Sequence, residues 1–145
     1  MGKPKYIETP EQLWQLFLDY KKEVKTNPII VKDWVGKDSD EVYREKEKPL
    51  TMVGFECYVA EHTKITCPDL TEYFEGKNES YKNYFPISSR IKKEIQNDQI
   101  TGGMVMIYSQ SITARLNDLA ENTNINAQLT TPIFGDNPLD EKNNE

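Results

Sequence analysis

Three residues with metal-ligating side chains lie close together in the middle of the chain: Cys57, His62 and Cys67. Cysteine thiolates and histidine nitrogens are the usual ligands of structural zinc, which takes four of them in a tetrahedron. The spacing of these three residues matches no standard zinc pattern, and a fourth ligand is missing. We therefore predict no metal site here, and two thiols that stay reduced.

The sequence also lacks the motifs of common enzymes. It contains neither a Walker-type phosphate loop nor a GxGxxG fingerprint. The single histidine has no nucleophile placed beside it. Acidic pairs such as Asp38 and Asp40 lack the apolar surroundings that tune a carboxyl group for acid–base catalysis. The sequence therefore predicts a protein that is not an enzyme and that needs no cofactor.

The distribution of charge limits the kinds of partner. The chain of 145 residues has a net charge of −6. Residues 1–50 carry ten basic and ten acidic side chains, whereas residues 51–145 carry eight basic and fourteen acidic ones. This acidity argues against nonspecific binding of nucleic acid, whose affinity comes mainly from phosphate contacts. It leaves room for a local basic patch.

A helix and a β-hairpin are the first elements that would carry such a patch. Thr9 and Pro10 form a strong helix start, and the pattern ends before Pro28. Three lysines crowd the last turn of this helix: Lys21, Lys22 and Lys25. They either complement the helix dipole or form the edge of a phosphate-binding surface. The patterns of residues 29–35 and 41–48 predict two strands, which would either lie against DNA as a wing or cover a core edge.

Two short helices are predicted next, over residues 52–62 and 69–76. Thr51 can cap the first, and Thr66 can cap the second. The pair is either a helix-turn-helix, whose second helix would enter the major groove, or a plain helical hairpin. The second helix offers Thr66, Thr71 and Tyr73 as polar contacts, flanked by Lys64 and Lys77. Its three acidic residues would be repelled by phosphates.

The pattern of residues 88–107 predicts a long helix, capped by Ser88 or Ser89, and a short helix follows over residues 111–119. The apolar residues recur at roughly helical spacing. Gly102 and Gly103 each cost a helix about 1 kcal/mol relative to alanine, so they imply a close approach by another backbone or a kink. An apolar stripe of this kind is typical of an element used in packing or assembly.

The remaining residues lose this periodicity and suggest a division of the chain. We predict a flexible arm over residues 1–8, a helical and β-hairpin domain over 9–86, assembly helices over 87–121 and a flexible acidic tail over 122–145. The tail contains an apolar island, Pro132, Ile133 and Phe134. Such an island either docks a partner protein or forms a strand that pads the same chain. No apolar run reaches the roughly 18 residues of a membrane span.

Residues 48–123 resemble the small terminase subunits of tailed bacteriophages, which are DNA-packaging proteins. The resemblance begins at Pro49, with PLTMVGFECYVAEH and DLTEYFEG, and continues through DQITGGMV, IY, SITARLN and LAENT. Its most specific piece is GG-x4-Y-x3-ITxRL, which starts at Gly102. The chain departs from the family pattern at Met106 and Asp118, where glycine is common, and at Ser109–Gln110, where the family usually has Asn followed by Pro or a polar residue.

The resemblance implies a mainly α-helical, non-catalytic protein that forms a ring of about eight or more copies. Such a ring would bind phage double-stranded DNA and recruit a large ATP-driven nuclease subunit in the host cell cytoplasm. Residues 88–119 would build the ring, and residues 9–77 would face the DNA. The tail residues Pro132, Ile133 and Phe134 would dock the large subunit. Two alternatives remain open: a dimeric winged-helix transcriptional regulator and an interaction adaptor without DNA contact.

Carried onto this chain, these roles give two sets of candidate residues. The candidate assembly residues are Ile91, Ile95, Ile100, Gly102, Gly103, Met104, Ile107, Ile112 and Leu116. The candidate DNA-binding residues are Lys21, Lys22, Lys25, Lys32, Lys37, Arg44, Lys64, Thr66, Thr71 and Lys77. Because each copy carries few cations, binding would depend on the summed contacts of many copies in the ring.

Overall fold

The computed structural model describes residues 6–76 and 78–119 of the chain. Within them the structure is mainly helical, with one antiparallel β-hairpin after the first helix, which confirms the predicted fold class. The elements in chain order are α1 (Pro10–Thr26), β1 (Ile29–Val35), β2 (Asp40–Lys46), α2 (Met52–His62), α3 (Cys67–Glu75), a 3-10 helix (Glu79–Tyr84), α4 (Phe85–Met104) and α5 (Gln110–Leu116). The predicted tail lies outside the described residues.

Three threonines start the first three α-helices, as predicted. Thr9 Oγ1 accepts a hydrogen bond from Gln12 N at 3.3 Å, and Thr51 Oγ1 accepts one from Gly54 N at 2.9 Å. Thr66 caps α3 in the same way. Each hydroxyl satisfies a backbone donor that the first helical turn leaves without a partner.

One hydrophobic core joins the helices. It contains Phe17 and Tyr20 from α1, Phe55 from α2, Phe74 from α3 and Ile91 from α4. Aromatic rings meet edge to face at its centre, where the ring centroids of Phe17 and Phe55 are 5.6 Å apart. This core extends across residues 86 and 87, where we predicted a boundary between the DNA-facing domain and the assembly helices.

The predicted polar connector and part of the predicted flexible arm belong to this core. Tyr81 and Tyr84 of the 3-10 helix are buried, and their rings pack against Tyr73. Tyr73 is itself only 2% exposed, which corrects its prediction as a polar contact to DNA. Tyr84 OH donates to Ile7 O at 2.6 Å, and Ile7 N donates to Tyr73 OH at 3.2 Å. Ile7 is therefore fixed inside the fold, because its backbone is bonded and its side chain is only 1% exposed.

The start of α4 differs from the prediction. The helix begins at Phe85 rather than near Ser88, because the 3-10 helix continues directly into it and Phe85 N donates to Lys82 O. Ser88 is buried in the first turns, where its hydroxyl donates to Tyr73 O at 2.9 Å. It therefore links α4 to α3 instead of capping a helix.

The β-hairpin lies outside the core. Its strands pair with Ile29 opposite Lys46 and Val35 opposite Asp40. Trp34 and Tyr43 are more than half exposed, and no hairpin residue belongs to the core cluster. The structure therefore does not place the hairpin over a core edge. None of the described helices is both long enough and apolar enough to cross a membrane.

Candidate assembly surface and candidate nucleic-acid contacts

The end of α4 and the start of α5 fold back on each other around the glycine pair. The ring of Tyr108 lies against Gly102, and Thr113 lies against Gly103. A Cβ atom on Gly102 would stand 2.2 Å from two ring carbons of Tyr108, and one on Gly103 would stand 2.8 Å from Thr113 Cγ2. The close approach that these glycines permit is therefore made within one chain, which corrects their assignment as contacts between copies.

Two residues of this segment hold a left-handed backbone although they are not glycines. Met106 has φ 63° and Asp118 has φ 53°, one on each side of α5. This conformation costs a residue with a side chain on the order of 1 kcal/mol. Backbone hydrogen bonds hold both turns: Ile107 N donates to Gly102 O at 2.8 Å, and Leu119 N donates to Ala114 O at 2.9 Å.

Around this turn the chain exposes a group of large apolar side chains, which we call the assembly surface. Its members are Met104, Val105, Met106, Ile107, Ile112, Leu116 and Leu119. Each of them is more than half exposed. Monomeric proteins rarely keep such groups in water, so a concentration of them at one end of a folded chain favours a partner surface.

Not all of the predicted assembly residues reach this surface. Ile91 and Ile95 are 0% and 3% exposed, because they form part of the chain's own core. They are corrected to core residues, which a second copy cannot reach. Ile100 is half-buried beside a small hollow lined by Gly103, Met104 and Leu119. Met104, Ile107, Ile112 and Leu116 remain available.

We expect Gly102→Ala to lower the free energy of unfolding by about 1–2 kcal/mol. The added methyl group must displace the ring of Tyr108, and this displacement costs more free energy than alanine gains in helix propensity. In a Tyr108→Ala background the same substitution should instead stabilise by up to about 1 kcal/mol. Urea unfolding of the four variants measures both effects. An equal effect in the two backgrounds would show that Tyr108 is not the cause.

Lys25 lies at a junction of four segments and is not free to bind a phosphate. Its Nζ is 2.5 Å from Asp98 Oδ1 on α4 and 2.7 Å from Glu47 Oε1 after β2. It also donates to Tyr108 OH at 2.9 Å and to Lys48 O at 3.2 Å. Three different segments therefore satisfy this ammonium group.

Asp98 binds further groups at the same junction. Its Oδ2 accepts from Leu50 N at 2.8 Å and from Tyr108 OH at 3.3 Å. Partial burial alone would lower the pKa of Lys25, but the hydrogen bonds to Asp98, Glu47 and Tyr108 outweigh it and raise that pKa above 10.5. Burial also raises the pKa of Tyr108. Both groups therefore keep their protons at neutral pH.

Three more of the predicted DNA-binding cations are paired with carboxylates of the same chain. Lys21 Nζ is 3.0 Å from Glu94, Lys32 Nζ is 2.7 Å from Glu41, and Arg44 Nε is 3.0 Å from Asp33. These pairs are partly exposed, so each contributes little to stability. A phosphate that approached any of these cations would also meet its carboxylate partner.

The other predicted DNA-binding residues divide into two groups. Lys22, Lys37 and Lys64 are exposed, and none has an ion-pair partner within residues 6–76 and 78–119. Thr66 and Thr71 are exposed, but their hydroxyls are already bonded, to the start of α3 and to Cys67 O respectively. Lys77 lies outside the described residues, as do Pro132, Ile133 and Phe134.

The three residues with metal-ligating side chains do not converge. Cys57 is exposed, and Cys67 Sγ lies 3.9 Å from Glu56 O. The ring of His62 stacks on Tyr58 with centroids 4.0 Å apart. In the described part of the chain, no three or more histidine, cysteine, aspartate or glutamate side chains form a group that could hold a metal.

Sequence reasoning missed Asp98 and Tyr108, the residues that organise the junction around Lys25. Asp98 and Lys25 are 73 positions apart, so no local pattern relates them. Tyr108 did belong to the family-like motif, and its fixed spacing from the glycine pair was the available signal.

A scan of protein-family models and a search of curated proteins each found no match to this chain.

Proposed function

We propose that this protein is the small subunit of a viral terminase. In this function the chain is not an enzyme. Copies of it form a ring in the host cell cytoplasm, bind phage double-stranded DNA and recruit a large ATPase–nuclease subunit for genome packaging. The assembly surface, from Met104 to Leu119, is the observation that carries the proposal. Residues 6–119 already contain a core of their own, yet seven large apolar side chains at one end stay in water.

The family-like motif gains a physical explanation from its packing. The glycine pair of GG-x4-Y-x3-ITxRL makes room for the tyrosine and the threonine of the same motif. The motif therefore specifies one tight turn that presents Met104 and Ile107 outward. Met106 and Asp118, where the family commonly has glycine, both hold the left-handed backbone that glycine adopts most easily. These agreements support the resemblance.

The DNA-binding part of the proposal depends on few cations. Lys22, Lys37 and Lys64 are the exposed lysines of the predicted set that carry no carboxylate partner among the described residues. Three weak contacts in one copy would give little affinity, but a ring repeats them at a high effective concentration. Residues 132–134 would dock the large subunit, and this role is assigned to them from the sequence alone.

A dimeric winged-helix regulator is the alternative, and the geometry favours it less. Its second helix would be α3, which must enter the major groove. The exposed residues of α3 include Glu72 and Glu75, which phosphates repel. Thr66 and Thr71, the polar side chains that could read bases, already bond to their own helix.

Native mass spectrometry of the full-length chain tests the assembly. We expect a closed species of about eight or more copies. A dimer at all concentrations would support the regulator instead. A monomer at micromolar concentration would exclude both assemblies.

A salt titration with duplex DNA tests the second part of the proposal. The logarithm of the binding constant should fall linearly with the logarithm of salt concentration, with a slope of about −0.9 for each phosphate contact. The triple variant Lys22→Ala/Lys37→Ala/Lys64→Ala should flatten this slope. The matched variant Lys21→Ala/Lys32→Ala/Arg44→Ala removes as many cations, but paired ones, and should flatten it less. Equal slopes for the two variants would contradict the assignment.

A further inference from the structure

A cleft of about 580 Å³ lies between the start of α2, the middle of α4 and the end of α5; we call it the α4 cleft. A smaller hollow of about 230 Å³ beside α5 shares three of its lining residues, Thr51, Gln99 and Leu116. Of the described residues that line the α4 cleft, Leu116 alone also belongs to the assembly surface. The volume of the cleft is enough for several side chains of a bound segment.

The two sides of the α4 cleft differ in chemistry. Met52, Val53 and Leu116 form an apolar side, where Val53 is 69% exposed and Leu116 is 61% exposed. Lys92 and Lys93 form a basic side. Neither lysine has a carboxylate partner within the described residues: Lys92 Nζ lies over the ring of Phe74, and Lys93 Nζ donates to Gln96.

The described lining of the α4 cleft contains no acidic side chain, although acidic residues outnumber basic ones in the whole chain. A fitting ligand would therefore combine apolar side chains with negative charge. Duplex DNA satisfies the lysines but leaves the apolar side without a partner. A peptide with apolar residues followed by carboxylates satisfies both sides.

The chain itself contains such a segment. Pro132, Ile133 and Phe134 are followed by Asp136, and then by Asp140 and Glu141. Residues 120–145 carry five acidic side chains and one lysine, so their charge is opposite to that of Lys92 and Lys93. This charge complementarity, together with the apolar island, matches the two sides of the α4 cleft.

The path of the chain makes this contact possible. Leu116 and Asn117 line the α4 cleft, and the last described residue, Leu119, follows them by two positions. From Leu119 to Pro132 the backbone can span roughly 40 Å when extended. That length reaches the cleft of the same copy or of a neighbouring copy in an assembly.

We propose that residues 132–141 of a copy of this chain bind in the α4 cleft. Ile133 and Phe134 contact the apolar side, and the carboxylates that follow contact Lys92 and Lys93. This self-contact does not depend on the proposed terminase function.

Photocrosslinking of the full-length chain tests the proposal, with p-benzoylphenylalanine in place of Phe134. We expect crosslinks to Met52, Val53 or Leu116. Lys92→Ala/Lys93→Ala should lower their yield by about tenfold, as should high salt. The matched variant Lys22→Ala/Lys64→Ala removes two exposed lysines elsewhere and should leave the yield unchanged. Mixing light and heavy isotope-labelled chains shows whether the segment binds its own copy or a neighbour, and either result supports the proposal.

Crosslinks to other surfaces, or a yield that both lysine variants leave unchanged, would overturn it. Because Lys92 also lies over Phe74, Lys93→Glu serves as a second variant that keeps this contact, and circular dichroism checks the fold of each. If Lys92→Ala/Lys93→Ala abolishes binding of duplex DNA while no crosslink falls in the cleft, the cleft binds nucleic acid and the proposal fails.

Discussion

Met104→Glu/Ile107→Glu should separate the proposed assembly into monomers without unfolding the chain. Both side chains are exposed in the single copy, at 76% and 53%, so a polar replacement removes no contact of the core. In an assembly that buries them, the loss of two apolar side chains should cost about 4 kcal/mol per interface, on the order of 1,000-fold in the dissociation constant. Native mass spectrometry measures the number of copies in each species. In urea unfolding the free energy of unfolding should change by no more than about 0.5 kcal/mol.

The matched control is Leu18→Glu/Ile30→Glu, which places the same charges on two exposed apolar residues of α1 and β1. We expect this control to keep the mass of the parent assembly. If it breaks the assembly as effectively as Met104→Glu/Ile107→Glu, the interface is not confined to the assembly surface. If neither variant changes the mass, the assembly surface is not an interface.

The fold was predictable wherever local chemistry decides it. Thr9, Thr51 and Thr66 each begin a helix because a hydroxyl can satisfy a backbone donor two or three positions later, and that relation is visible in the sequence. The hairpin was predictable for the same reason, since β-branched and aromatic residues flank a turn that begins at Gly36.

Periodicity did not reveal what covers a helical face. The four-residue spacing of Ile91 and Ile95 correctly places them on one side of a helix, but both pack into this chain's own core instead of a second copy. Tyr81 and Tyr84 were missed for a related reason. In a polar connector tyrosine suggests an exposed residue, yet it can be buried when its hydroxyl finds a partner such as Ile7 O.

The candidate DNA-binding surface was the least predictable part, because the partners of its cations are distant in sequence. The lysines at the end of α1 suggest a phosphate-binding edge until Glu94 and Asp98 of α4 pair with two of them. Only the packing of α4 against α1 brings these charges together. The same packing creates the junction around Lys25, which should therefore contribute to the stability of the fold.

Lys25→Met should lower the free energy of unfolding by roughly 2–3 kcal/mol, somewhat less than the loss of a fully buried ion pair. The substitution leaves the carboxylates of Asp98 and Glu47 close together without their shared cation. A double-mutant cycle with Asp98→Asn isolates the pair, and we expect a coupling energy of about 1–2 kcal/mol. Lys22→Met is the matched control, since Lys22 is exposed on the same helix, and it should stay within about 0.5 kcal/mol of the parent.

The dependence of stability on pH provides an independent test. Because the pKa of Lys25 is raised in the folded chain, its contribution is fully present below the ordinary value of 10.5 and is lost as the pH rises above it. The raised pKa of Tyr108 acts in the same direction, since the unfolded chain releases that proton first. As the pH rises above about 10, the parent chain should therefore lose more stability than Lys25→Met/Tyr108→Phe. The other tyrosines titrate in both chains, so the difference between the two pH dependences reports the junction around Lys25. If the free energy of unfolding falls in parallel for the two chains, protonation of Lys25 and Tyr108 does not stabilise this junction.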